Sequence, residues 1–296
     1  MTDFDKEAAP GYPIFLGSEF EQPDEANAYF HILPIPFEAS TTYGEGTASG
    51  PSSILGASWQ LETWDGKSIP GKRGIYTHPP IDCDGDTETV LARISEGIKY
   101  IVDNDGFPVG LGGEHTVTYG IISGLIEAGI EDFGIVQIDA HADMRDSYKG
   151  NPHSHATVMR RIADLDIPIY QLGVRALCEE EVQARKIYNI EYLDAEVLVR
   201  KNIHKFDLPD DFPDKIFFTI DIDGFDPSVF PSTGTPVPGG LNWYQVLNLF
   251  ESVAQQAQII GFDVMGFAPV RGFHAYEFSA ALLVYKMMGI IERNQL

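Results

Sequence analysis

Residues with metal-binding side chains alternate with alanine in Asp139-Ala140-His141-Ala142-Asp143, directly after the apolar run 133–138. In an extended backbone, positions i, i+2 and i+4 face one side, so a strand ending here would deliver two carboxylates and an imidazole together. Such donors suit a hard or borderline divalent ion. The same residues admit another reading, a turn in which the aspartates cap a helix and the histidine is incidental. Asp221-Ile222-Asp223 repeats the pattern after the apolar run 216–220, and His115 follows Gly112-Gly113-Glu114. His115, Asp139, His141, Asp143, Asp221 and Asp223 are more ligands than the roughly four of a structural zinc. They suit two ions sharing bridging aspartates. Two ions about 3.5–4 Å apart lower the pKa of a water between them and make hydroxide available near neutral pH, so the expected reaction is a hydrolysis. The oxygen-rich set favours Mn(II) over thiolate-preferring metals and leaves Ni, Co and Zn open.

The elements that must position these residues alternate in type. Buried strands are expected at 29–36, 107–113, 133–139, 167–174, 216–223 and 257–265, with shorter ones at 74–78 and 190–193. Between them, Val90, Ile94, Ile98 and Ile101 recur at helical spacing within 87–103, and helices are expected at 116–128, 178–187, 241–256 and 275–291. A further helix should start near Pro51 and run through Ile54, Ala57, Leu61 and Trp64, since proline tolerates the first turn. Another should run through Ala156, Met159 and Ile162. Continuously apolar strands alternating with helices predict an α/β fold with a parallel sheet covered on both faces. Ligands in such sheets collect at the carboxyl ends of strands, where the acid-rich loops lie. Residues 1–26, acidic and holding Pro10, Pro13 and Pro23, read as an irregular arm ahead of a single domain over 27–296.

The 296 residues carry 44 acids against 20 Lys and Arg, a net charge of −24, which argues against a nucleic-acid partner and modestly favours a cationic substrate. Cys83 and Cys178 have no zinc-like spacing or CxxC partner and suit a reducing compartment. The amino terminus lacks a basic or apolar leader pattern and no run of 18 apolar residues occurs, so a cytoplasmic protein without a membrane span is expected.

Several ordered motifs resemble the ureohydrolase family of arginases and agmatinases, with most likeness to the agmatinase branch. They are Gly112-Gly113-Glu114-His115, the 139–143 stretch, Ser154-His155-Ala156-Thr157, the run Asp221 to Pro227, Ser232 to Pro236, and Gly239-Gly240. Thr42 to Thr47, Gly50 to Ile54, Gly261 to Val264 and Val284 to Lys286 extend the likeness over nearly the whole chain. The resemblance implies a three-layer αβα sandwich around a parallel sheet of roughly eight strands, in a trimer or hexamer. It also implies a two-metal centre, with manganese before nickel, that attacks a guanidino carbon and releases urea. It assigns the six residues above as ligands, His155 as the proton-shuttling histidine and Thr235 as a neighbour of the substrate guanidino group. An imidazole suits that shuttle because it exchanges protons near pH 7. Asp143 would also orient the nucleophile. Glu114 reads as a helix-start or supporting acid, Asp226 as a turn-former, Asp263 as an orienting group, and His153 as a polar loop residue.

The pattern breaks at Asp263-Val264-Met265-Gly266, where family members carry a glutamate that grips the guanidinium. Loss of such a charge-assisted contact costs on the order of 2–5 kcal/mol of binding. Three expectations follow from Gly266: an altered guanidine, amidine or biguanide substrate that needs the room; replacement by another acid such as Glu277, which otherwise reads with His274 as a helix-capping group; or a weakly active partner in a hetero-oligomer. The six intact ligands favour the altered substrate. Leu55, where an arginine is common, is a second departure.

Overall fold

A computed structural model describes residues 12–296. In chain order the regular elements are β1 (Phe30–Ile35), α1 (Gly50–Ser58), β2 (Ile75–Thr77), α2 (Thr87–Asp103), β3 (Phe107–Gly112), α3 (Val117–Glu127), β4 (Phe133–Ile138), α4 (Val158–Ala163), β5 (Ile169–Leu172), α5 (Glu179–Ile187), β6 (Glu191–Leu193), α6 (Ala195–Arg200), β7 (Lys215–Asp221), α7 (Trp243–Ala254), β8 (Gln258–Met265) and α8 (His274–Gln295).

The strands form one sheet in the order β2-β1-β3-β8-β7-β4-β5-β6, with every pairing parallel. Residue alternation on the central strands shows why both faces are covered. Ile216, Phe218 and Ile220 of β7 enter one core with residues of α1, α7 and α8, and Phe217 enters the other with residues of α2, α3 and α4. Each such fully buried side chain contributes roughly 1.5–3 kcal/mol relative to exposure. The αβα sandwich expected from the sequence is therefore present.

Helix α2 shows how local chemistry sets an element. Asp86 accepts a hydrogen bond from the Thr89 backbone N–H at 2.8 Å, and Val90, Ile94, Ile98 and Ile101 are all buried on one face. Helix α1 is shorter than expected. It ends at Ser58, whose hydroxyl donates to the Leu55 carbonyl and accepts from Leu16 N–H. Such back-bonding competes with continued helix, so Leu61 and Trp64 lie in the following loop. Helix α6 was not expected; its six residues are too few to show a period.

The chain lays down β3 and then crosses to β4, and β7 and β8 later fill the space between them. Open parallel sheets place their crevice at such a reversal of strand order. The carboxyl ends of β3, β8, β7 and β4 are consecutive there, and they lead into His115, Gly266, Asp221 with Asp223, and Asp139 with His141 and Asp143. Of the expected arm over 1–26, residues 1–11, with Pro10, lie outside the described residues; residues 12–26 hold turns and the start of a short 3-10 turn at Glu25–Asn27.

Candidate metal centre

The ligands converge through loops rather than along extended strands. β4 ends at Ile138, one residue before Asp139. Asp143 has a positive φ of 53°, so the loop folds back on itself and the i, i+2, i+4 projection expected from the sequence does not describe it. Such a conformation is costly for a residue with a Cβ and persists where surroundings enforce it. Likewise Asp221 closes β7, but Asp223 lies in the 3-10 turn Ile222–Gly224, and its N–H donates to Asp221 Oδ1 at 2.9 Å. Strand ends supply the position and short turns supply the convergence.

All six expected ligands meet in one place. His115 Nδ1 lies 2.9 Å from Asp139 Oδ2, 3.1 Å from Asp143 Oδ2 and 3.6 Å from Asp221 Oδ2. His141 Nδ1 lies 3.0 Å from Asp223 Oδ2 and 3.6 Å from Asp139 Oδ1. Asp139 thus belongs to two groups, one with His115 and Asp221 and one with His141 and Asp223, each able to hold an ion.

Electrostatics and proton placement test whether the residues suit cations. Burial opposes charge on His141, yet hydrogen bonding to Asp139 and Asp223 wins and raises its pKa to about 12. His115 is raised well above its ordinary range in the same way by Asp139 and Asp143. Burial and then the charge of Asp139 push Asp143 up to about 7, and burial with the Asp223 charge raises Asp221. Four carboxylates in so dry a place are stabilised by positive charge at the imidazole nitrogens, from a proton or from a metal. His115 is also aimed for the purpose. Thr219 Oγ1 lies 2.9 Å from its Nε2, placed to accept from Nε2–H. A bound metal would take the place of the proton on Nδ1 while Nε2–H stays on Thr219, the usual supporting arrangement for a ligating histidine. Asp263 is fully buried and accepts from Thr118 Oγ1 at 2.8 Å.

Several residues that the sequence did not single out hold the ligands. Gln137 Nε2 donates to Asp139 Oδ2 at 2.8 Å, Gln171 Nε2 donates to Gln137 Oε1, and Arg185 Nε donates to Gln171 Oε1. Arg175 donates to the carbonyls of Asp223, Phe225 and Val237, tying the Asp223 turn to the loop that bears Thr235. Asp226 accepts from the N–H groups of Ser228, Gly239 and Gly240, which bears out its reading as a turn-former. The buried Gln137 and Gln171 were the available signal, since an amide within an apolar strand needs a partner.

The six ligands, His155, Thr235 and Gly266 line a narrow cavity of about 50 Å³. It adjoins a broader one of about 410 Å³ that shares Thr42, His141, Asp143, His155 and Thr235 and adds Arg145, Tyr148 and Glu181. Thr235 Oγ1 is 3.4 Å from Asp223 Oδ2. Glu277 is not among the residues lining either cavity. It sits in the first turn of α8, 3.8 Å from exposed His274, but no side-chain hydrogen bond caps that helix, so the capping role expected of the pair is not seen. The space at Gly266 is not open as expected either. Its φ is +72°, and a Cβ there would lie 2.3 Å from Asp221 Oδ1. The glycine allows the Asp221 carboxylate to sit against the backbone.

A profile described as the arginase family matches residues 28–289. This chain belongs to the arginase family. Among the relatives of this arginase-family hydrolase, an N(1)-aminopropylagmatine ureohydrolase of Synechocystis sp. is 42% identical, with 91% of each chain covered. An agmatinase of Pyrococcus horikoshii is 32% identical over 91% of this chain and 94% of that one. The crystal structure of an agmatine ureohydrolase of Thermoplasma volcanium superimposes with a TM-score of 0.79 at 26% identity, covering 93% of this chain and 94% of the other. Among the described residues no helix is long and apolar enough to cross a membrane.

A further buried cluster, His31 with His78 and Glu25, lies near the amino end of β1, away from the crevice end of the sheet. Its imidazoles satisfy one another. His31 Nε2 faces the Ala28 carbonyl at 3.3 Å, so it carries the proton, and His31 Nδ1 accepts from His78 Nε2–H at 3.0 Å. Burial lowers both, His78 to about 3, so the pair is neutral.

Proposed function

We propose that this chain hydrolyses the guanidino group of a cationic, polyamine-like substrate of the N(1)-aminopropylagmatine and agmatine class, releasing urea and the amine. The observation that carries the reading is the pair of joined cavities, a narrow one ringed by six metal-type ligands with His155 and Thr235, and a broad one beside it. A planar guanidinium suits the narrow end and a flexible cationic tail the broad end. A net charge of −24 favours approach of a cation.

His115, Asp139, Asp143 and Asp221 would hold one divalent ion, and Asp139, His141 and Asp223 would hold the second, with manganese the first choice and nickel the alternative. When bound, the two ions supply the Lewis acidity that makes water nucleophilic near neutral pH. The protein's own residues do the rest. Thr235 orients the guanidino group beside Asp223. Burial holds His155 below the ordinary imidazole range, with the charge of Glu114 partly offsetting this. A ring that rests neutral can take the proton lost as water adds to the guanidino carbon. It then returns that proton to the amine as the C–N bond breaks.

Gly266 favours a second reading within this class, a differently shaped guanidine, amidine or biguanide, since no carboxylate at 266 clamps the guanidinium. One panel tests both readings. Protein stripped of metal and reloaded with Mn or Ni is offered N(1)-aminopropylagmatine, agmatine, arginine, guanidinobutyrate, guanidine and biguanides, and urea or ammonia is measured. Urea from the polyamine guanidines is the expected result. Turnover confined to another guanidine favours the second reading, and no turnover of anything at full metal occupancy removes the catalytic assignment.

A further inference from the structure

His155 is held by a hydrogen-bonded chain that begins outside the ligand set. Glu114, buried at 2% exposure, accepts from two backbone donors through Oε2, Ala39 N–H at 2.7 Å and Ser40 N–H at 2.6 Å. Its Oε1 lies 2.6 Å from Ser40 Oγ and also accepts from Thr116 Oγ1. Ser40 Oγ then faces His155 twice, 3.1 Å from the backbone N–H and 3.0 Å from ring Nδ1.

Counting protons along this chain gives one solution. Glu114 accepts at both oxygens, from two backbone N–H groups and from the hydroxyls of Ser40 and Thr116, so the single hydroxyl proton of Ser40 goes to it, across the shortest contact of Ser40 Oγ. The two lone pairs of Ser40 Oγ remain, and the backbone N–H of His155 takes one. The other can only accept from the ring, so Nδ1 must carry the proton of the neutral imidazole. Nε2 is then the basic nitrogen.

We propose that Glu114 and Ser40 are positioning residues that hold His155 in the Nδ1–H tautomer, so that Nε2 is its proton-exchanging atom. The inference rests on the assignment of His155 as the proton shuttle in the proposed hydrolysis. It places a function on the 36–46 loop, which the central strands do not carry.

Substitution of Glu114 by Gln makes a distinctive prediction. The two backbone donors at Oε2 require the amide oxygen, which turns the amide NH2 toward Ser40 and Thr116. Ser40 Oγ must then accept from Gln and donate to His155 Nδ1, so the tautomer inverts to Nε2–H.

The test is 15N NMR of histidine-labelled full-length protein loaded with diamagnetic Zn(II), with His155 assigned from a His155→Ala variant, alongside urea kinetics. Wild type is expected to show Nδ1–H. E114Q should show Nε2–H, S40A should lose the preference, and S40T, which keeps a hydroxyl, should restore it. In E114Q and S40A, kcat should fall about 10²-fold, the lower end of what proton transfer contributes, with KM changed by less. Nε2–H in wild type, or an unchanged tautomer in E114Q, overturns the relay, and the wild-type spectrum decides even if a variant fails to fold. If the tautomers follow this pattern while no guanidine is turned over, the relay stands and the hydrolase assignment fails.

Discussion

Placing a methyl group at position 266 probes how the site is built. Gly266 has φ +72°, and a Cβ would lie 2.3 Å from Asp221 Oδ1 and 2.5 Å from Oδ2, where ordinary contact begins at 3.4 Å. In Gly266→Ala the carboxylate must therefore retreat by about 1 Å, far beyond the tolerance of about 0.2 Å in metal–ligand distances. The left-handed backbone adds roughly 1–3 kcal/mol of strain for a residue with a side chain. At roughly 2–4 °C per kcal/mol for a large domain, the melting temperature should fall by about 2–12 °C. Affinity for the ion held by Asp221 should drop at least about 10²-fold, the upper end of the cost of losing a mere supporting partner. Calorimetric metal titration and thermal scans of metal-free protein read the two effects separately. Gly266→Glu should show the same losses and no gain in agmatine turnover. If G266A takes up two ions with wild-type affinity and melts at the wild-type temperature, the steric argument is wrong and the carboxylate could be restored at this position.

Other perturbations separate proton transfer, ligand support and loop stability. His155→Ala should lower kcat by about 10²–10⁴-fold while metal content by elemental analysis stays at wild-type level; loss of metal would instead make His155 a ligand. Thr219→Val removes the acceptor for His115 Nε2–H and should weaken metal binding about 10–100-fold in a competition titration with a chelator, and unchanged affinity would show that Thr219 does not orient the ring. Asp226 has its pKa lowered to about 2, because its hydrogen bonds from Ser228, Gly239 and Gly240 outweigh the opposing effect of burial. Its folded pKa lies below the unfolded one, so its stabilisation is present above about pH 4 and is lost as pH falls through about 2. Asp226→Asn should therefore lower stability by about 1 kcal/mol at pH 6, allowing for solvent screening, and the gap from wild type should close between pH 4 and 2; a gap independent of pH would mean that the charge is not what stabilises the loop.

Much of the fold is legible in local pattern. The span of α2 follows from Asp86 and a sustained helical period, and β3, β4 and β7 follow from short apolar runs whose every residue but Lys215 is buried. α6 is not legible because six residues are too short to show a period, and α1 stops short of its apolar pattern because Ser58 bonds back to Leu55 and accepts from distant Leu16. At the site, the alternation of acids and histidines marks candidate ligands that do converge, but not along an extended strand: Asp143 turns back through a left-handed conformation.

The amino-acid sequence by itself determined the chemistry that is present: six metal-type donors, a histidine suited to proton exchange, and the absence of a carboxylate at 266. Those are properties of residue type and spacing, which survive without coordinates. Only the tertiary structure decided which lone pairs face the centre, through Thr219 on His115 and through Ser40 and Glu114 on His155. It also decided that Glu277 lies outside the cavities and that Gly266 holds Asp221 in place rather than leaving a gap. The reason is physical: each of these facts depends on groups distant in sequence meeting within a hydrogen-bond or van der Waals distance, and no local pattern encodes that meeting.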